Sequence, residues 1–186
     1  MSEIPYVQCQ WQTIAHRAIV DVVVIHTMEV PLQDGMAMRV AEAFQNGYHM
    51  VDGKLEPHKV SAHYCVDTSQ IVQCCHEYNV AWHCPGANRR GIGVEHSGYA
   101  DKVDWNSPEA DAELRLSAGL VAGICKRWDI PVVHLSVDEL RGNARGLIGH
   151  VDATIAFATP GGHRDPGQSF PWAYYLGLVG TEFAKP

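Results

Sequence analysis

With 186 residues, 46% of them apolar and 19% charged, the chain is long enough for one domain that buries about 70% of the surface its unfolded form exposes. A net charge of −7 without a Lys/Arg stripe argues against nucleic acid as a partner. No apolar run approaches a membrane span, so membrane insertion is not expected.

The first segment, Met1-Ser2-Glu3-Ile4-Pro5, lacks the basic start and apolar core of a secretory leader, which leads us to expect synthesis in a cytosol. Residues Ala18 to His26 form a β-branched run broken only by Asp21, the pattern of a strand buried on both faces with His26 at its C-terminal end. From Gln33 to Gln45 the apolar positions Met36, Ala37, Val40, Ala41 and Phe44 fall at helical spacing, and Gly47 is a stop. A strand followed by a crossing helix is an α/β signal. Residues 47 to 60 are polar, contain Gly, Asp and Pro, and read as a loop.

Ser61 to Asp67 and Gln70 to Cys75 read as two strands joined through Thr68-Ser69. Gly91 to His96 reads as another, with Gly91, Gly93 and Glu95 on one face and Ile92 and Val94 on the other. The glycines on that face suggest open space beside Glu95. Ser107-Pro108-Glu109 opens a helix with a capping serine, proline at the first helical position and acids in the first turn; it should run to Trp128. Short strands are expected at Pro131–Val133 and Leu147-Ile148, a flexible stretch after His150, and a last helix from Pro171. No repeat or linker interrupts the chain, so residues 1–186 are read as one domain. The six cysteines lack regular spacing and read as reduced, buried small residues.

Among eleven histidines, position singles out His26 and His150, together with Asp165: each stands where regular structure gives way to a Gly or Pro turn, where sites are mounted. Two imidazoles and one carboxylate would leave a fourth position open on zinc, as in catalytic rather than structural sites. Other patterns fail. His76-Glu77 lacks the second histidine of a metalloprotease helix, Gly91-Ile92-Gly93 lacks the third glycine of a dinucleotide loop, and Cys84 beside His83 lacks the third partner of a thiol protease.

Ile25-His26, Ser61-Ala62-His63-Tyr64, Ala81-Trp82-His83, Ile92-Gly93-Val94-Glu95, Gly149-His150 and Asp165-Pro166-Gly167 with Phe170-Pro171-Trp172 together resemble the zinc-dependent N-acetylmuramoyl-L-alanine amidases of the phage-lysozyme and peptidoglycan-recognition-protein superfamily. The pieces occur in the family's order and extend from about Val20 to Trp172. The resemblance implies an α/β domain, a mixed central sheet flanked by helices, with a substrate groove along one side. It makes His26, His150 and Asp165 ligands of zinc (Zn2+). Relatives that only bind peptidoglycan have typically lost the third ligand, so its presence favours an enzyme.

The resemblance also assigns Glu95 as the acid/base, since the tyrosine that other relatives place before the histidine matched by His63 is Ala62 here. Many relatives carry lysine two residues before the third ligand; here His163 stands there, with Arg164 next, so His163 is expected to stabilise the oxyanion, the alternatives being that Arg164 does so or that His163 only lines the groove. Trp82, His83 and Arg164 are expected to line the groove and bind substrate, and His63 to stand behind the site. The implied reaction is hydrolysis of the amide between N-acetylmuramic acid and L-alanine in bacterial peptidoglycan. The expected setting is a monomeric phage endolysin, made in the host cytoplasm and acting at the wall, with the acidic charge hinting at a wall-binding domain after Pro186. A cytosolic muropeptide-recycling amidase and a non-catalytic peptidoglycan-binding module are the alternatives.

Overall fold

The computed structural model describes residues 3–51, 54–159 and 161–186. Its elements, in chain order, are β1 (Gln12–Thr13), β2 (Val22–Thr27), α1 (Met36–Asn46), β3 (Tyr48–Val51), β4 (Lys54–Pro57), β5 (Tyr64–Val66), β6 (Ile71–Gln73), β7 (Val80–Ala81), β8 (Gly91–His96), α2 (Pro108–Trp128), α3 (Val137–Arg141), β9 (Gly146–Gly149), α4 (His150–Phe157) and α5 (Trp172–Phe183). A five-stranded sheet in the order β6-β5-β8-β2-β9 forms the centre. It is mixed: β2 runs parallel to β8 and β9, β5 parallel to β8, and β6 antiparallel to β5.

The apolar run becomes the central strand because β2 has neighbours on both edges and helices over both faces. Val22, Val23, Val24 and Ile25 are fully buried, each removal from water contributing about 1.5–3 kcal/mol. Alternation then divides the strands. Val23, Ile25, Ile92, Val94 and Leu147 face α2 and α5 in the largest core cluster, while Val22, Val24 and Ile148 pack with Leu140 of α3 and Ala153 of α4. Cys65 faces that second side too, packed with Ala37, Ala41 and Phe44 of α1. The second face is thus covered at its two ends by α1 and by α3 with α4, leaving a gap over the C-terminal ends of β2 and β8.

Local signals account for the helix ends. The Ser107 hydroxyl accepts from Ala110 N at 3.2 Å at the start of α2. The start of α1 is capped from outside, by Asp67 of the β5–β6 turn, whose carboxylate accepts from Ala37 N at 2.9 Å. Gly47 ends α1 with a φ of 69°, a left-handed conformation suited to glycine. The six cysteines are free and buried, and among the described residues no helix is long and apolar enough to cross a membrane.

Three expectations are corrected. Tyr48–Val51 and Lys54–Pro57 pair antiparallel as β3 and β4 where a loop was expected: backbone pairing satisfies groups that the polar composition suggested would meet water. The stretch after His150 is the helix α4, with Asp152 Oδ2 accepting from Gly149 N at 2.7 Å across its start. Pro131–Val133 is not a strand; contact with β9 is limited to a bridge from His134 to Leu147, because Pro131 lacks the N–H a ladder needs.

Candidate metal centre

Parallel register builds the site. His26 of β2 lies directly beside Glu95 of β8, so both side chains leave the same face of the sheet at the same level. On the other side of β2, Ile25 pairs with Gly149, and the chain turns there into α4, making His150 its first residue. A Cβ at Gly149 would stand 2.7 Å from Pro166 Cδ; the close approach that glycine permits brings the Asp165–Pro166 segment against the end of β9. Val151 N donates to Asp165 O at 3.0 Å and fastens it there.

The three residues singled out by position converge. His26, His150 and Asp165 are all buried, and one potential ligand atom from each lies within 4.8 Å of the others. His26 Nδ1 is 2.8 Å from Asp165 Oδ2 and His150 Nδ1 is 3.3 Å from Asp165 Oδ1. Burial raises the Asp165 pKa, but hydrogen bonds from His150 and His26 outweigh it and hold the carboxyl well below the usual carboxylate range. Burial lowers the His26 pKa, opposed by Asp165. His150 Nε2 is buried without a hydrogen-bond partner among the described residues. A buried anionic carboxylate met, among the described residues, by imidazoles and by no Lys or Arg ion pair is a donor set that fits a divalent cation such as zinc.

Glu95 lines the same cavity, a space of about 360 Å³ walled by His26, His150, His163, Asp165 and Glu29 on its polar side and by Val40, Ala43 and Phe44 of α1 on its apolar side. It is half-buried, and its carboxyl has no hydrogen-bond partner among the described residues. Burial raises its pKa well above the usual range, helped by the negative charges of Asp165 and Glu29.

The open space beside Glu95 is this cavity, but the glycines do not supply it: the space over Gly93 is taken by a side chain. A Cβ at Gly93 would stand 2.6 Å from His83 Nδ1, so the glycine admits a side chain from elsewhere. His83 is buried and lines the cavity, with its Nδ1 3.0 Å from His26 Nε2. Burial, then neighbouring His26, pushes its pKa well down. His63 lies behind, also buried, its Nδ1 accepting from Gly93 N at 3.0 Å, and burial beside Arg17 lowers its pKa to about 3.

His163 stacks on His150 with ring centroids 3.9 Å apart and its side chain is 45% exposed. Arg164 turns away: it lines a neighbouring cavity with Asp101, Asp152 and Trp172. Trp82 is not among the residues lining the site cavity; its indole donates to Thr13 Oγ1 at 3.1 Å and packs beside Trp11. Glu29, which a surface-like sequence context concealed, reaches the cavity from the turn after β2, accepting from Thr27 Oγ1 at 2.8 Å and from Ala100 N at 2.9 Å.

The fold is shared with solved structures. The Staphylococcus aureus hydrolase AmiA superposes with a TM-score of 0.73 at 13% identity, covering 97% of this chain and 83% of that one. An AmpD derivative gives 0.65 at 21% identity over 96% of both chains, and the endolysin N-acetylmuramoyl-L-alanine amidase LysCS from Clostridium intestinale gives 0.61 at 17% over 97% of both. Residues 16–168 match the N-acetylmuramoyl-L-alanine amidase family. N-acetylmuramoyl-L-alanine amidase A of Achromobacter lyticus is 31% identical over 138 residues, 69% of this chain and 73% of that protein. The chain belongs to the N-acetylmuramoyl-L-alanine amidase family, and it is a peptidoglycan amidase.

Proposed function

We propose that the enzyme is zinc-dependent and cleaves the amide between the lactyl group of N-acetylmuramic acid and L-alanine. The observation that carries this reading is the convergence of His26, His150 and Asp165 on one cavity with an unpaired Glu95 beside them. His26, His150 and Asp165 would hold the ion. When bound, zinc polarises the scissile carbonyl, makes water more acidic and offsets the Asp165 charge felt by Glu95. Glu95 removes a proton from the water that attacks the carbonyl carbon, then delivers it to the alanine nitrogen as the C–N bond breaks. The products are a lactyl carboxylate and a free alanine amine. His163, held in place by its stack on His150, donates a hydrogen bond to the oxyanion that forms meanwhile.

We further propose a phage endolysin, synthesised in the host cytoplasm and released to the wall, active as a monomer. Similarity to the Clostridium intestinale endolysin supports it. A muropeptide-recycling amidase would use the same glutamate and ligands, and equal coverage of the AmpD fold supports that reading as much. Digestion of purified sacculi by zinc-loaded and chelated protein separates them, scoring new N-terminal alanine against new reducing sugar. An endolysin releases alanine termini from intact sacculi only when loaded. A recycling enzyme releases them only from soluble muropeptides, new reducing sugar would indicate a glycosidase, and wall binding without release would defeat the catalytic reading.

A further inference from the structure

His83 is more enclosed than a residue that greets substrate, and each of its constraints points back at His26. Its main chain is pinned by Asn88, whose Oδ1 accepts from His83 N at 2.9 Å and Cys84 N at 2.7 Å. The ring sits in the space that Gly93 leaves free, against the edge of His63 at 5.6 Å between centroids. His63 is itself fixed by Gly93 N on its Nδ1 and by Asn79 O at 3.2 Å and Arg17 Nη2 at 2.8 Å on its Nε2. Among the described residues the ring's hydrogen bonding is confined to Nδ1, 3.0 Å from His26 Nε2, while Nε2 is buried without a partner.

We propose that His83 is a positioning residue for the metal ligand His26, its Nδ1 standing ready as the acceptor for the proton that His26 carries on Nε2 when its Nδ1 binds a cation. When a cation takes the His26 Nδ1 lone pair, replacing the hydrogen bond that Nδ1 makes to Asp165 Oδ2 at 2.8 Å, Nε2 is where the remaining proton must sit. This rests on the reading of His26, His150 and Asp165 as zinc ligands. A neutral imidazole carries one N–H, and a ligand histidine is held in its working tautomer by whatever accepts the hydrogen on its other nitrogen. Carboxylates and carbonyls commonly serve. Here Asp165 and Glu29 already place around the cavity negative charge that Glu95 feels, and an imidazole supplies an acceptor without adding more. The glycine at 93 acquires its reason at the same time: any side chain there would displace the acceptor.

Zinc affinity, read by competition with a chromogenic chelator, tests this together with the melting temperature of the zinc-free protein. His83→Leu should bind zinc about 10–100-fold more weakly; it removes one unpaired nitrogen but also leaves His26 Nε2 without its partner, and the zinc-free melting temperature separates that loss of stability from the loss of affinity. His83→Asn, whose Oδ1 stands close to the lost Nδ1, should recover most of the affinity. His83→Gln, whose polar end reaches the Nε2 position instead, should not. Wild-type affinity in His83→Leu overturns the proposal, and so does equal affinity in the Asn and Gln variants, a comparison that decides even if the leucine variant fails to fold. Failure of the wild type itself to bind zinc would instead overturn the metal reading beneath it.

Discussion

The two faces of one sheet are built from the same strands by alternation, and they arrange their buried polar groups differently: most are linked to one another on one face, and several are turned into a cavity on the other. Under α2 and α5, His96 Nε2 meets Ser117 Oγ at 2.7 Å and His96 Nδ1 meets His26 O at 3.3 Å. Ser117 in turn meets Tyr175 at 2.7 Å, and Ser97 donates to Glu113 at 2.5 Å. On the opposite face Glu95 has no hydrogen-bond partner among the described residues, and the Nε2 atoms of His83 and His150 are buried and unpaired. An unsatisfied buried group costs about 1–3 kcal/mol. The paired face under α2 and α5 holds such atoms too, Trp105 Nε1 and Glu113 Oε1; what sets the other face apart is that its unpaired groups, on Glu95, His83 and His150, line one cavity, where a ligand or reaction can repay them.

Substitutions on the two faces should therefore separate activity from stability. Asp165→Ala has the largest expected effect: zinc and activity are lost together, turnover falling by about a thousandfold or more, the equivalent of about 4 kcal/mol of charge stabilisation. Metal analysis of the purified variant checks the coupling. Glu95→Gln keeps zinc but loses turnover by about 10²–10⁴-fold; full activity in that variant would remove Glu95 from the mechanism. His163→Ala should lower kcat by about tenfold to a hundredfold, less than removing a sole oxyanion donor, while Arg164→Ala, directed at the neighbouring cavity, should fall by less than about threefold if His163 is the oxyanion partner.

The paired face yields the smallest effect on activity and a distinct pH signature. Burial raises the Glu113 pKa to about 8, despite its hydrogen bond from Ser97. A folded pKa above the unfolded one means the native state binds more protons between them. The associated stability is therefore fully present below about pH 4.5, its ordinary value, and is lost as pH rises through about 8. Glu113→Gln should flatten that part of the stability profile, measured by urea unfolding at stepped pH, and leave alanine release unchanged.

Much of the paired face was legible in the sequence, because its signals are local: the β-branched run of β2, the Ser107-Pro108-Glu109 start of α2, and the alternation of β8 follow from neighbours along the chain. The candidate ligands were legible for a similar reason, since chain turns mark His26, His150 and Asp165. The glycine pattern around Glu95 was visible, but its meaning was not. A glycine announces close approach without naming what approaches, and Cα-to-side-chain proximity between Gly93 and His83 exists only after folding. The helix α4 hid behind an apolar, weakly patterned segment; the one usable sign was Asp152 three residues after Gly149, a cap-like spacing. The β3–β4 pairing had no such sign, its polar composition being as compatible with a loop.

The most direct test of the central claim is a zinc titration of chelated wild-type protein, following release of N-terminal alanine from peptidoglycan. Activity should rise from background and saturate at one zinc per chain, with Asp165→Ala unresponsive throughout. Full activity in the chelated protein, or an Asp165→Ala variant that responds like the wild type, would contradict a zinc centre formed by His26, His150 and Asp165.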